Sequence, residues 1–475
     1  MNATHASAIA ASTAPAHDVE VRVLSGTGVC GSGFKESSLD AGIGMAPHFI
    51  GCDAGSTDPG PFSLGTGGTA FPVRAIKRDL RLMLLAARRA RIPLLIGSAG
   101  TAGGAPHLAL FHRIVMEIAQ EEKLRFPMAL ISAEQDKGYL KRRLQEGRIT
   151  PLSPAPDFDA GTIDRATRIV GMMGEEPWMR ALDGGAEVII AGRSSDCAIF
   201  AGIPIRMGVD AGIAWHAAKI LECGAAAAVA RPSPDCMFAT LRSDHFDLEA
   251  PDPALRCSPL SVAAHSLYEN GDPFRLVESS GVLDLTSATY EALDERRVRV
   301  RGSRFEPASR YTVKLEGAEL AGYQSIVLGS VRDPYIIRQI DSFVARLTDR
   351  VHARVADVFK DDAAAASYLF NVRIYGKDGT MGPLEPVTEI RAHELCLVLE
   401  ATAATQEIAT TIASMARHQA LHLPIPEWRG FITGLACPYS PAYLERGPVY
   451  RFCVNHVVEP DDPYEMFPIE YVNVG

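Results

Sequence analysis

Residues 50–71 read IGCDAGSTDPGPFSLGTGGTAF. The stretch packs six glycines, two prolines, Asp53, Asp58 and the hydroxyls of Ser56, Thr57, Ser63, Thr66 and Thr69 into 22 positions, with no Lys or Arg. An apolar run from His48 to Cys52 leads in and an amphipathic run from Arg74 to Arg91 leads out, so the order is strand, loop, helix. In an α/β protein such a loop lies at the carboxyl edge of the sheet, where ligands bind. Glycine lets backbone approach a ligand closely, while Asp and Thr supply acid/base and hydrogen-bonding groups. A wide, polar surface turn is the bland alternative.

The same unit recurs on either side. VEVRVL (19–24) runs into Gly26-Thr-Gly28-Val-Cys-Gly31, a formal match to the dinucleotide fingerprint that lacks the long helix the fingerprint requires, so a glycine loop lining a cleft is expected. Residues 92–96 (IPLLI) predict a buried parallel strand opening into GSAGTAGGAPH (97–107) and a helix over 107–122. A third strand spans 126–132, with a helix near 138–146. GAEVIIA (185–191) predicts a fourth strand, followed by Gly192-Arg193-Ser194-Ser195-Asp196-Cys197 and a helix over 212–223. Polar loops at one end of successive units describe a parallel sheet with helices on both faces, a Rossmann-like α/β domain over 19–265. Beyond it, RVRVR (297–301) and YTVKL (311–315) alternate, and long helices are expected over 334–359 and 403–420, so a second, α+β domain is expected over 266–475.

Candidate chemistry clusters in these loops. Asp53, Asp58, Asp196 and His216 are the candidate acid/base residues. Arg193 can hold a substrate anion bidentately, with Ser194 and Ser195 positioning it; an ion pair with Asp196 is the structural alternative. Ser56, Thr57, Ser98, Gly100 and Thr101 complete the candidate binding set. His107 reads equally as an anion contact or a helix cap. His216, Lys219 and Glu222 share one helix face. Cys52, Cys197 and Cys223 lie in or near the loops, where a buried inert thiol is the commoner state.

Composition narrows the class. The chain has 475 residues, long enough for two or three domains, and a formal net charge of −10 with no basic stripe, which argues against nucleic acid as partner. No apolar run approaches a membrane span, and residues 1–18 read as a disordered tail without the features of a secretory signal. Nine scattered cysteines without a CxxC pair suit neither a disulfide framework nor a zinc site and fit a cytoplasmic protein.

Several ordered blocks resemble one family. GCDAGSTDPGP, IGSAGTAGG, AGRSSD with WHAAKILECGA, DPFRLVESSGVLDL, RRVRVRGSRF, YTVKLEGA and VRDPYIIRQID are similar to the acyclic terpene utilisation family. The resemblance covers roughly residues 20–475. It implies catabolism of branched terpenoid or other carboxylic acids, an acid or acyl-CoA substrate, and in some members a small partner subunit.

The expected function is therefore a catabolic lyase of hydratase/dehydratase type, or an isomerase, acting on a carboxylic acid or its acyl-CoA thioester. The alternative is a non-catalytic acyl-CoA or carboxylate-binding subunit working with a small partner protein. No redox cofactor is required; a divalent metal stays open, with no ligand set assigned. The aromatic, Pro-rich tail (460–474) has the composition of an interface segment and predicts a homo-oligomer.

Overall fold

The computed structural model describes residues 19–360, 362–426 and 434–475. The tail expected over 1–18 lies outside them. The chain forms two compact units, one of residues up to Glu319 together with Phe452–Gly475, the other Leu320–Arg451. The passage between units falls within two long strands, Val313–Val331 and Tyr443–Val458.

The first unit is built on a ten-stranded mixed sheet. Its centre is five parallel strands in the spatial order Glu20–Ser25, Phe49–Asp53, Leu94–Gly97, Val188–Ala191, Phe126–Ile131. Side chains alternate between two cores. Val23, Phe49, Leu95 and Ile189 face a layer containing the helices Glu176–Asp183, Ala198–Arg206 and Ala211–Leu221. Leu24, Ile50, Ile96 and Ile190 face the helices Val73–Ala90 and Ala105–Glu122. Burial on both faces explains why these strands read as continuous apolar runs.

Helices on both faces and a parallel centre match the expectation, but the sheet is not a simple doubly wound one. The strand Val188–Ala191 inserts between two earlier strands, and antiparallel strands flank the centre on both sides. Met237–Arg242, His245–Glu249, Val298–Arg301 and Thr289–Ala292 extend one side. The alternation of RVRVR thus marks an antiparallel strand of this same sheet, whereas YTVKL leads into Val313–Val331, which pairs antiparallel with Arg168–Met172.

Ile469–Val474 forms the opposite edge, pairing antiparallel with Phe126–Ile131. The tail composition read as an oligomer interface is accounted for within the chain: Met466, Phe467 and Val474 are buried in the first unit's cores. In the second unit, Tyr368–Tyr375, Leu395–Ala403 and residues 323–331 pair antiparallel. The helices Ile340–Val358 and Gln406–His422 bury Phe343, Leu347, Val351, Ile412 and Ala416 with Val327, Leu397 and Leu399 of those strands.

Candidate active site

Three glycine-rich loops meet at the carboxyl edge of the parallel strands because neighbouring parallel strands end side by side. Their backbones bond directly: Ala54 N to Gly97 O (3.0 Å), Thr101 N to Ala54 O (3.0 Å), Ser98 N to Gly192 O (3.0 Å) and Arg193 N to Gly103 O (3.1 Å). Gly103 has φ +65°, and a Cβ there would lie 2.1 Å from the Arg193 nitrogen. No other residue allows that approach.

Asp53 ends its strand and is 4 % exposed. One carboxyl oxygen, Oδ2, accepts from Gly55 N at 2.8 Å, while Oδ1 is buried without a partner. Burial first, then the charge of nearby Asp196, hold its pKa well above the usual carboxylate range against the pull of Arg193. Burial thus favours the protonated form of Asp53. Asp196 keeps 31 % of its side chain exposed, and burial of the remainder lifts it to about 7, with Arg193 opposing and Glu222 and Asp58 adding repulsion. The two carboxyls form a pair whose more exposed member titrates near neutrality.

Arg193 organises this pair. Its side chain is 6 % exposed, with Nε donating to Glu316 Oε2 at 2.8 Å and Nη1 to Ser98 Oγ, the Ser194 carbonyl and Asp196 Oδ1 at 2.9–3.1 Å. Burial acts to raise the Glu316 pKa, but Arg193 and then Lys314 pull it down to about 2. The Arg193 guanidinium expected to grip a substrate anion has its Nε and Nη1 engaged by groups of the chain itself.

The residues with access are others. A cleft of about 390 Å³ is lined by Thr57, Asp58, Lys314, Glu316, Phe452 and Asn455, among others. Lys314 donates to Glu316 Oε1 at 2.9 Å yet keeps 36 % of its side chain exposed, so it is the cation that faces the cleft. Sequence reading missed it. The only signal is alternation in YTVKLEGA, which puts Lys314 and Glu316 on one face of their strand. Asp58 stands exposed at the cleft, its Oδ2 accepting from Ser56 Oγ at 2.7 Å.

Further inside, Ser195 hydrogen-bonds Glu278, which burial lifts to about 8 and whose Oε2 has no partner. Lys219 donates to Glu222 Oε1 (2.7 Å), and Cys197 Sγ to Glu222 Oε2 (2.8 Å). The carboxyls of Asp53, Asp196, Glu222, Glu278 and Glu316 thus outnumber the cations of Arg193, Lys219 and Lys314. Low dielectric disfavours net charge, so the cluster retains protons at neutral pH. Neither Glu278 nor Glu316 stands in a glycine-rich loop, which is why loop composition did not flag them.

The remaining expected residues separate from the cluster or serve it structurally. His216 is fully buried between Ser303 Oγ (2.6 Å) and Ser266 Oγ (2.8 Å), and burial lowers its pKa to about 3. It is a neutral core histidine, and the general-base role is corrected. His107 accepts from Gly104 N at 3.1 Å and bonds the carbonyls of Ser63 and Gly68, a cap rather than an anion contact. Ser98 and Ser194 are 0 % exposed and bond within the loops. Thr101 Oγ1 accepts from Ala70 N at 2.9 Å, and Gly100 packs on His107, so these four do not reach a ligand. Burial raises the thiols of Cys52, Cys197 and Cys223, leaving none activated as a nucleophile.

The sequence pattern of the acyclic terpene utilisation family protein AtuA matches residues 75–229 and 252–432. The chain belongs to that family. Within this AtuA-family chain the matched stretches contain Arg193, Asp196, Glu278, Lys314 and Glu316, while the loop of Asp53 and Asp58 precedes them. No curated protein and no solved structure is found to match. Among the described residues, no group of three or more His, Cys, Asp or Glu side chains is placed to hold a metal ion, and no helix is long and apolar enough to cross a membrane.

Proposed function

We propose that the chain is an enzyme acting on a carboxylic acid or its thioester, a lyase of hydratase/dehydratase type or an isomerase, with chemistry at the Asp53–Asp196 pair. One observation carries the reading: a buried carboxyl with an unpartnered oxygen lies beside a partly exposed carboxyl poised near pH 7. Acid/base catalysis is most effective when the group's pKa lies near the working pH. Structural ion pairs ordinarily lower carboxyl pKa values, as Arg193 does to Glu316.

In this reading Lys314 holds the substrate's anionic group at the cleft. The Asp196 carboxylate takes a proton from the carbon next to the carbonyl, and the C–H electron pair moves into the carbonyl as an enolate. The proton then leaves Asp196 for a β-hydroxyl, which departs as water while the enolate electrons form the double bond, or for another carbon, giving an isomer. Asp53, whose protonated form burial favours, limits the charge of the pair.

The test is turnover by the purified chain on 3-hydroxy acids, enoic acids and their CoA thioesters. Asp196→Asn should lower kcat by ~10² or more with the fold intact, the loss expected for a general acid/base. Saturable binding of every such compound without turnover by the unaltered chain would end the enzymatic reading.

A further inference from the structure

The first unit carries a second and larger cleft, of about 880 Å³, whose lining residues are separate from those of the Asp58–Lys314 cleft. Its walls are the loop after the first strand, the segment from Cys223 to Arg231, and the helix Pro259–Ser266 with the turn that follows. The loop is the one that resembles a dinucleotide fingerprint, and its glycines serve packing. A Cβ on Gly28 would lie 2.8 Å from the Cys223 carbonyl oxygen, so only glycine lets the loop lie flat on that segment. The amides of Gly31 and Gly33 both donate to buried Asp79 Oδ2, at 2.9 and 3.0 Å, and are not free for a phosphate.

What remains facing the cleft is mostly aliphatic: Val29, Ala226, Val229, Leu260 and Ala264. Leu260 is 81 % exposed and Tyr268 51 % exposed, a cost in water that a seated apolar ligand would relieve. The polar side chains are the hydroxyls of Ser32, Ser258, Ser261 and Tyr268, with Arg231, His265 and Glu269. Arg231 is exposed and has no ion pair among the described residues. His265 is 8 % exposed, and its Nε2 has no hydrogen-bond partner. Burial, with the charges of Lys219 and Arg231, keeps His265 neutral near pH 7, able to donate or accept one hydrogen bond. Glu269 is the one acid on the lining. A few convergent polar groups in a concave, apolar cavity of roughly 300–1,000 Å³ are the ordinary features of a small-molecule site.

We propose that this cleft is a second binding site, for an aliphatic carboxylate whose chain lies along Val29, Ala226 and Ala264 and whose carboxylate meets Arg231 and His265 Nε2. It shares no lining residue with the Asp58–Lys314 cleft, and its test reads binding alone.

The probe is sodium decanoate below its micellar concentration, titrated calorimetrically into the full chain, with 1-decanol as the uncharged counterpart. Saturable binding at one site is expected. Arg231→Ala should weaken it roughly tenfold or more, as for loss of a charged hydrogen bond, and decanol should bind weaker by a similar factor. Ala264→Phe, at an exposed position where the larger ring can be accommodated without disturbing the core, should abolish binding by filling the cleft. Lys314→Ala, on the other cleft, should leave decanoate affinity within about twofold. Absence of saturable binding overturns the proposal, as does unchanged affinity in both Arg231→Ala and Ala264→Phe. Equal affinity for decanol removes the anion from it. Loss of affinity in Lys314→Ala matching that in Arg231→Ala would place the ligand in the other cleft and overturn it as well.

Discussion

Arg193 Nε meets Glu316 Oε2 at 2.8 Å with both side chains 6 % exposed, although 123 residues separate them in sequence. A buried pair of this kind holds its elements in register, and removing one partner leaves Glu316 with only Lys314, or Arg193 with only Asp196, as counter-charge in the interior. Arg193→Met or Glu316→Leu alone should cost ~3–5 kcal/mol. The double variant should recover much of that loss. Urea unfolding of the four proteins checks this, and strictly additive losses would show that the two side chains act separately.

The buried acids set the pH dependence of stability. Asp196 and Glu278 have folded-state pKa values of about 7 and about 8, above those of the unfolded chain. Their contribution is fully present below pH ~4 and is lost as pH rises through about 7 to 8, because the folded state binds the extra protons. Glu316, lowered to about 2, works the other way and loses its contribution only in strong acid. The thermal midpoint should therefore fall between pH 5 and 8, and Glu278→Gln, which removes an acid without changing shape, should flatten that slope. A slope identical to that of the unaltered chain would mean Glu278 is ionised throughout.

Lys314 gives a kinetic prediction. Lys314→Ala should raise KM for an anionic substrate with a smaller change in kcat, since the loss is of ground-state and transition-state binding alike. Because Lys314 also bonds Glu316, the thermal midpoint is to be measured alongside, and Lys314→Arg should restore most of the affinity. A fall in kcat at constant KM would place Lys314 at the reacting atoms instead.

How much of this was legible in the sequence follows from range. The strands ending at Asp53, Gly97 and Ala191 and the glycine loops after them are local patterns, and the expected helices 74–91 and 107–122 correspond to Val73–Ala90 and Ala105–Glu122. The meeting of the three loops followed from parallel neighbours. Insertion of Val188–Ala191 between Leu94–Gly97 and Phe126–Ile131 is a property of pairing across the chain, which no local pattern records. Arg193 illustrates the same limit: a lone cation in a polar loop looks free until Glu316 arrives from a strand far along the chain. His216 was misread because helical spacing gives its face but not what packs on that face, here Ser266 and Ser303.

The C-terminal strand provides the last prediction. Ile469–Val474 pairs with the whole of Phe126–Ile131, Tyr471 OH donates to the Arg180 carbonyl at 3.2 Å, and Met466 and Phe467 are 2–3 % exposed. Ending the chain at Glu459 would uncover the apolar strand Phe126–Ile131 as a free edge, with unpaired N–H and C=O groups able to template association. Loss of several buried large side chains costs a few kcal/mol each at this scale. The shortened chain should therefore be markedly less stable and aggregate, whereas Tyr471→Ala, at a residue 49 % exposed, should cost about 1 kcal/mol for its single hydrogen bond. Sedimentation with thermal unfolding of the two variants distinguishes this from an interface role. An oligomer that falls cleanly to a folded monomer of unchanged midpoint on shortening would assign the segment to contacts between copies.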